Sequence, residues 1–323
     1  MTDSIVVDDV EKTAQLLAPF INPTPVTRWV GPQLAQRLPK DTRVSIKLEL
    51  FQHAGTFKAR GALSNILRLT QRQRDCGVTA MSAGNHAVAV AYAAKVARVN
   101  AKVVMQSSAN PARVELAKSF GAEILMAEDG PSGFALAEQI AAEEGRQFIH
   151  PFDGLHTALG TATLGLEMHQ QLRDLDLLIV AIGGGGLAGG VSAITRQLNP
   201  NCHIIGVEPD GANSMHCSFA SGKPENIGIP NTIADSLAPP MTLALPFALC
   251  QQNIDELVSV SDAEIVDAMR LIFHDLKLAI EPACAATTAA LIKVLHAHPG
   301  KHIGLVFCGS NIDWVSYQQL VDK

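Results

Sequence analysis

The sequence predicts an α/β fold of two domains, with parallel-rich sheets flanked by helices. Three observations predict it. Short apolar runs alternate with Ala-rich helical stretches, the pattern of successive strand–helix units. The strand-like runs are apolar at consecutive positions, as strands covered on both faces should be. The 323 residues correspond to about two domains at roughly 150 residues each.

In chain order, strand-like runs fall at Val44–Leu48, Val78–Met81, Lys102–Met105, Glu123–Met126, Leu177–Ile182, His203–Val207 and Ile303–Phe307. Helical patterns lie between them at Ala87–Ala97, Ala112–Phe120, Gly133–Glu143, Leu187–Leu198 and Asp262–Leu276. The stretch from Ala212 to Pro246, rich in Ser, Gly, Asn and Pro, reads as loops with short helices. There is no repeat at a fixed period and no low-complexity segment.

Composition removes several function classes. Hydrophobic residues are 47% and charged residues 17%, which excludes a disordered chain. The 25 cationic and 31 acidic side chains give a net charge of −6, against a nucleic-acid partner that wants a basic face. Apolar runs such as Leu177–Ile182 are far shorter than the ~20 residues of a membrane span. The acidic, mixed stretch from Met1 to Lys12 is neither a signal nor a transit peptide. Cys76, Cys202, Cys217, Cys250, Cys284 and Cys308 show no C-x-x-C spacing and read as reduced, mostly buried thiols of a cytoplasmic protein.

Three loops carry chemistry. Gly183, Gly184, Gly185 and Gly186, then Leu187, follow a strand-like run and open a helix. Such a turn brings several N–H groups and a helix N-terminus against an anion, so it reads as a phosphate cradle; the plainer reading is a tight strand–helix turn. No Gly-Lys-Ser/Thr follows, which excludes a nucleoside-triphosphate loop. Gly184, Gly186 and Gly189 also satisfy G-x-G-x-x-G, with Glu208 after the next strand-like run. On local evidence a nicotinamide oxidoreductase therefore stays open, weakened by Pro209 after Glu208 in a loop-rich stretch.

The second loop is Gly55-Thr56-Phe57-Lys58-Ala59-Arg60-Gly61-Ala62. A lone lysine is usually solvated surface. One flanked by Phe57 and small residues is placed to lose proton affinity and act as an amine nucleophile. The third is Ser82-Ala83-Gly84-Asn85-His86 at a helix start, either a plain N-cap turn or a carboxylate pocket. Together the loops supply an amine, a carboxylate pocket and a phosphate pocket. That is the inventory for an amino acid reacting on pyridoxal phosphate.

These motifs resemble those of the fold-type II pyridoxal-phosphate enzymes, in the serine/threonine dehydratase and serine racemase subgroup. Gly55–Ala62 is similar to their S-F-K-x-R-G-A, with Thr56 in place of Ser. Ser82–His86 is similar to their S-x-G-N-H, and Gly183–Leu187 to their G-G-G-G-L. Gly160–Thr163 before Glu167, Gly206–Pro209, Thr232–Asp235, Glu281–Cys284 and Cys308–Ile312 follow in the family's order. The nicotinamide reading leaves Lys58 and Ser82–His86 unexplained.

The resemblance implies the tryptophan synthase β-like architecture. A large cofactor domain would comprise residues 1–71 and 148–323, with a small inserted domain at 72–147 carrying the substrate loop. Few residues follow Asn311, so no regulatory domain is expected. Lys58 would form the Schiff base and shuttle the Cα proton, and Phe57 would pack by the ring. Asn85 would bond the ring's 3′-oxygen, Gly183 to Leu187 would bind phosphate, and Ser82, Ala83, Gly84, Asn85 and His86 would hold substrate. Cys308 would meet the pyridine nitrogen as a neutral partner, favouring β-elimination over transamination. A monovalent or divalent cation would sit near Glu208, Ala212 and Ser214, although relatives that bind magnesium carry Asp where Ser214 stands.

The implied reaction is dehydration and deamination of L-threonine or L-serine to a 2-oxo acid and ammonia, in a cytoplasmic homodimer. Alternatives are an amino-acid racemase, a dehydratase of 3-hydroxyaspartate or another β-hydroxy amino acid, and a binder without turnover. Racemases resembling this chain carry a serine where Ala83 stands, and a methyl group cannot deliver a proton. His53, His150, His156, His169, His203, His216 and His274 show no ligand spacing and read as surface or loop residues.

Overall fold

A computed structural model describes residues 5–322. Residues 1–4, where the acidic N-terminal stretch begins, and residue 323 lie outside the described residues. The described residues form ten strands: β1 (Val26–Arg28), β2 (Arg43–Lys47), β3 (Val78–Met81), β4 (Ala101–Gln106), β5 (Glu123–Ala127), β6 (Gln147–Phe148), β7 (Leu177–Ala181), β8 (His203–Pro209), β9 (Glu256–Val260) and β10 (His302–Val306). All seven expected runs are strands, within a few residues at their ends. Pro209 closes β8 instead of opening a loop.

The strands make two sheets. One has the order β1-β2-β10-β7-β8-β9, the other β5-β4-β3-β6. Every pairing is parallel except β1 with β2. Central strands such as β7 are buried along their whole length, hence their continuous apolar runs. The edge strand β9, Glu-Leu-Val-Ser-Val, is buried only in part, and its mixed pattern hid it from the sequence reading.

The five expected helices appear as Asn85–Ala97, Pro111–Ser119, Gly130–Glu144, Gly186–Leu198 and Asp262–Leu276. The last begins on a Ser261/Glu264 capping box and ends where Lys277 turns left-handed. The helix Leu155–Gln171 escaped the sequence reading because Gly and Thr interrupt its apolar pattern. Those residues permit close packing: a Cβ on Gly160 would lie 2.5 Å from the Arg60 carbonyl oxygen. Within Ala212–Pro246 the structure has the helix Ser214–Ser221, a short turn of helix at Asp235–Leu237, and the start of the helix Ala244–Asn253.

The strands of the smaller sheet span residues 78–148, and we propose the 72–147 division as the domain boundary. The cores are less separate than the sheets. Ala59, Ala62, Leu63 and Ile66 of the helix Lys58–Ile66 pack into the core of the smaller sheet. The site-bearing turns gather where parallel strands end: Ser82 after β3, Gly183 after β7 and Cys308 after β10. No helix among the described residues is long and apolar enough to cross a membrane.

Candidate active site

Lys58 opens its helix on a backbone tied to the loop after β10. Thr56 bridges Gly309, and the Phe57 N–H donates to the Cys308 carbonyl at 3.0 Å. The Lys58 ammonium lies 5.2 Å from the Phe57 ring centroid, and its Nζ donates to the Pro151 carbonyl at 2.9 Å. Burial lowers its pKa to about 8, against the Glu281 carboxylate, which favours the charged form. A usable fraction of free amine therefore exists near neutral pH.

A buried ion network anchors this helix. Arg60 donates Nε to Glu49 Oε2 at 2.9 Å and Nη2 to Glu49 Oε1 at 2.8 Å, and Nη2 also reaches Glu167 Oε2 at 2.8 Å. Lys47 Nζ meets Glu167 Oε1 at 2.5 Å. Two cations thus face two carboxylates, so burying the group leaves no uncompensated charge.

Gly186 and Leu187 line the Lys58 cavity, and the turn Gly183 to Gly186 is glycine for steric reasons. Gly185 has φ +94°, and a Cβ on Gly186 would stand 2.6 Å from the Phe152 carbonyl oxygen. The amides of Gly183, Gly184, Gly185, Gly186 and Leu187 meet no acceptor among the described residues. Free donors at the start of the helix Gly186–Leu198 make an anion cradle. With a desolvated amine alongside, these groups fit the phosphate and aldehyde of pyridoxal phosphate.

On the small-sheet side, the turn Ser82–Gly84 leads into the helix Asn85–Ala97, and Ser82 Oγ accepts from the Gly84 N–H at 3.0 Å. Asn85 Nδ2 donates to Glu281 Oε1 at 2.6 Å and to Ser236 Oγ at 3.3 Å, while its Oδ1 accepts from Asn311 Nδ2 at 2.8 Å. His86 donates through Nε2 to the Ile149 carbonyl at 2.8 Å if that nitrogen carries the proton. Burial and the Lys58 charge push its pKa down to about 3, so the imidazole stays neutral.

Arg113 spans the cleft from the small-sheet side. Its Nη1 meets Asp235 Oδ2 at 2.5 Å, Nε donates to the Asn311 carbonyl at 2.7 Å, and Nη2 lies 3.5 Å from Glu281 Oε2. Burial lifts Glu281 to about 7 despite Arg113. The Cys308 thiol is held well above its usual range by a hydrogen bond with Cys284 and by burial, so it is neutral.

Glu208 does different work. Its carboxylate accepts the Met215 and His216 N–H groups at 2.8 Å each and pairs with His216 Nδ1 at 2.6 Å, at the start of the helix Ser214–Ser221. Ala212 and Ser214 are buried nearby. These bonds occupy both oxygens of the carboxylate expected beside a cation.

His150 lies in a loop, one of the two settings expected for it, but it also belongs to the site. It is half-buried, lines the Lys58 cavity with His86 and Pro151, and has a pKa lowered by burial to about 4. Its ring stands 4.6 Å from that of Phe152, and Phe134 and Phe148 pack behind it. Arg113 also escaped the sequence reading. It sits in the short helix Pro111–Ser119, which has no marked apolar face, and nothing local marks it. Glu281 and Asn311 lay in recognised motifs without assigned roles.

Comparison with known proteins agrees with this geometry. A family profile described as pyridoxal-phosphate dependent enzyme matches residues 17–309. Phenylserine dehydratase of Ralstonia pickettii is 53% identical over 277 residues, 85% of each chain. L-threo-3-hydroxyaspartate ammonia-lyase of Saccharomyces cerevisiae is 35% identical over 97% of this chain and 95% of the relative. The structure of maize serine racemase superposes with a TM-score of 0.91 at 32% identity, covering 98% of this chain and 96% of that one.

Proposed function

The chain belongs to the pyridoxal-phosphate-dependent enzymes, and from that premise we propose that it dehydrates and deaminates a β-hydroxy L-amino acid, releasing a 2-oxo acid and ammonia. L-Threonine and L-serine are the first expectation. The carrying observation is the buried Lys58 amine, desolvated to a pKa of about 8, in a cavity that Gly186 and Leu187 of the glycine cradle also line. Bound there, pyridoxal phosphate supplies an aldehyde carbon and an electron sink.

Each residue then has one task. Gly183 to Leu187 hold the phosphate, and Phe57 and Asn85 fix the ring. The start of the helix Asn85–Ala97 takes the substrate carboxylate. Lys58 removes the Cα proton. Cys308 offers the ring nitrogen no negative charge, which favours loss of a β-substituent over transamination. Ala83 has no proton to deliver to the opposite face, which disfavours racemisation.

A β-aryl substrate is a second reading, favoured by Phe57, Leu187 and His150, which line the Lys58 cavity, and by the relative named phenylserine dehydratase. A 3-carboxylate substituent is less suited, because Arg113 is already paired with Asp235 and Glu281. The six free thiols suit a reducing cytoplasm, and a homodimer completes the reading carried over from the family resemblance.

The test supplies L-serine, L-threonine, L-threo-3-phenylserine and L-threo-3-hydroxyaspartate, and measures 2-oxo acid and ammonia. Purified protein should be yellow, and borohydride with peptide mapping should label Lys58. Label on another lysine, or a colourless protein retaining a dinucleotide, would refute the assignment.

A further inference from the structure

At the edge of the larger sheet opposite the cofactor site, three side chains from distant segments converge. His203 stands at the start of β8, Glu256 at the start of β9, and His298 in the turn before β10. One ligand atom from each lies within 4.8 Å of the other two. The two imidazole centroids are 5.5 Å apart, and His203 Nε2 lies 3.4 Å from Glu256 Oε2. Parallel pairing of Ile205 with Glu256 puts Glu256 on the same sheet face as His203, two residues along.

We propose that His203, Glu256 and His298 form a binding site for a late first-row divalent cation of the zinc class. Two imidazoles and one carboxylate are a set such ions take, with water completing the coordination. A second observation supports the assignment. The other ring nitrogen of His203, Nδ1, faces Asp255 Oδ2 at 3.6 Å. That carboxylate is itself fixed by Arg196 Nη2 at 2.6 Å and by the Ile204 N–H at 2.7 Å. At 3.6 Å the approach of Asp255 to His203 is an electrostatic contact rather than a hydrogen bond; it favours the proton on Nδ1 and leaves Nε2, on the Glu256 side, for a metal.

The ligands come from the starts of β8 and β9 and from the turn before β10, so the ion would tether the approach to β10 to β8 and β9 across β7. Its effect falls on the stability of the larger sheet rather than on chemistry at Lys58.

The experiment uses holoenzyme treated with a chelator and titrated calorimetrically with zinc chloride near neutral pH, with magnesium chloride as the oxygen-preferring control. One zinc per chain should bind and raise the thermal midpoint, and magnesium should not displace it. His203→Gln and His298→Gln should each weaken zinc at least roughly tenfold, and Asp255→Asn by about the same factor through misorientation. The midpoint rise should disappear in the two histidine variants, with activity in the absence of zinc unchanged. Cys76→Ser/Cys217→Ser should bind as the parent does. Should a histidine variant fail to fold, the exposed Glu256→Gln carries the same expectation. No saturable zinc binding, equal binding by the ligand variants, or loss of binding in the double cysteine variant would overturn the proposal.

Discussion

Glu281 makes stability depend on pH in the direction opposite to that of an ordinary paired acid. Burial raises its carboxyl from 4.5 to about 7, against the pull of Arg113. As pH rises through that interval, the unfolded chain loses a proton that the folded protein keeps. Stability therefore falls between about pH 4.5 and about pH 7 and is level above it, as far as this group is concerned. The shift, 7 − 4.5 = 2.5, amounts to roughly 3 kcal/mol at about 1.4 kcal/mol per pKa unit. Glu281→Gln removes the titration and keeps an oxygen for Asn85 Nδ2, while Arg113 retains Asp235. Scanning calorimetry of the cofactor-free parent and variant, from about pH 4.5 to about pH 8, measures the effect. The variant should gain on the parent as pH rises, and the gap should stop widening above about pH 7. A difference that is flat over this range, or that shrinks with rising pH, would mean that Glu281 does not hold its proton and that Arg113 governs its ionisation.

Two further predictions concern the chemistry. Ala83→Ser should raise inversion of residual substrate relative to elimination, by no more than the ~100-fold at the lower end of what a positioned acid supplies. Chiral chromatography beside a 2-oxo acid assay checks this, and rapid inversion by the unmodified enzyme would show that another residue delivers the second proton. Cys308→Ser should keep much of the elimination activity, because a hydroxyl is also neutral, whereas Cys308→Asp should protonate the ring nitrogen and raise side transamination. If Cys308→Asp behaves like the parent, Cys308 does not face the ring nitrogen.

The sequence alone determined the alternation of parallel strands and helices, because strands buried on both faces must be written as unbroken apolar runs. It also exposed the loops around Lys58, Asn85 and Gly183–Gly186, since a tight anion-binding turn needs small residues in a row and leaves a local mark. The helix Leu155–Gln171 and the edge strand β9 were illegible for the converse reason. Close helix packing demands Gly160, which breaks the periodic pattern, and an edge strand need not be apolar. Only the tertiary structure decided the rest. Arg113, Asp235, Glu281 and Asn311 meet across the cleft from segments far apart in the chain, and no spacing rule links them. The same holds for His150 beside Lys58, and for His203, Glu256 and His298. A side chain's pKa and partners follow from what surrounds it in space, and that neighbourhood exists only once the sheets have brought distant strand ends together.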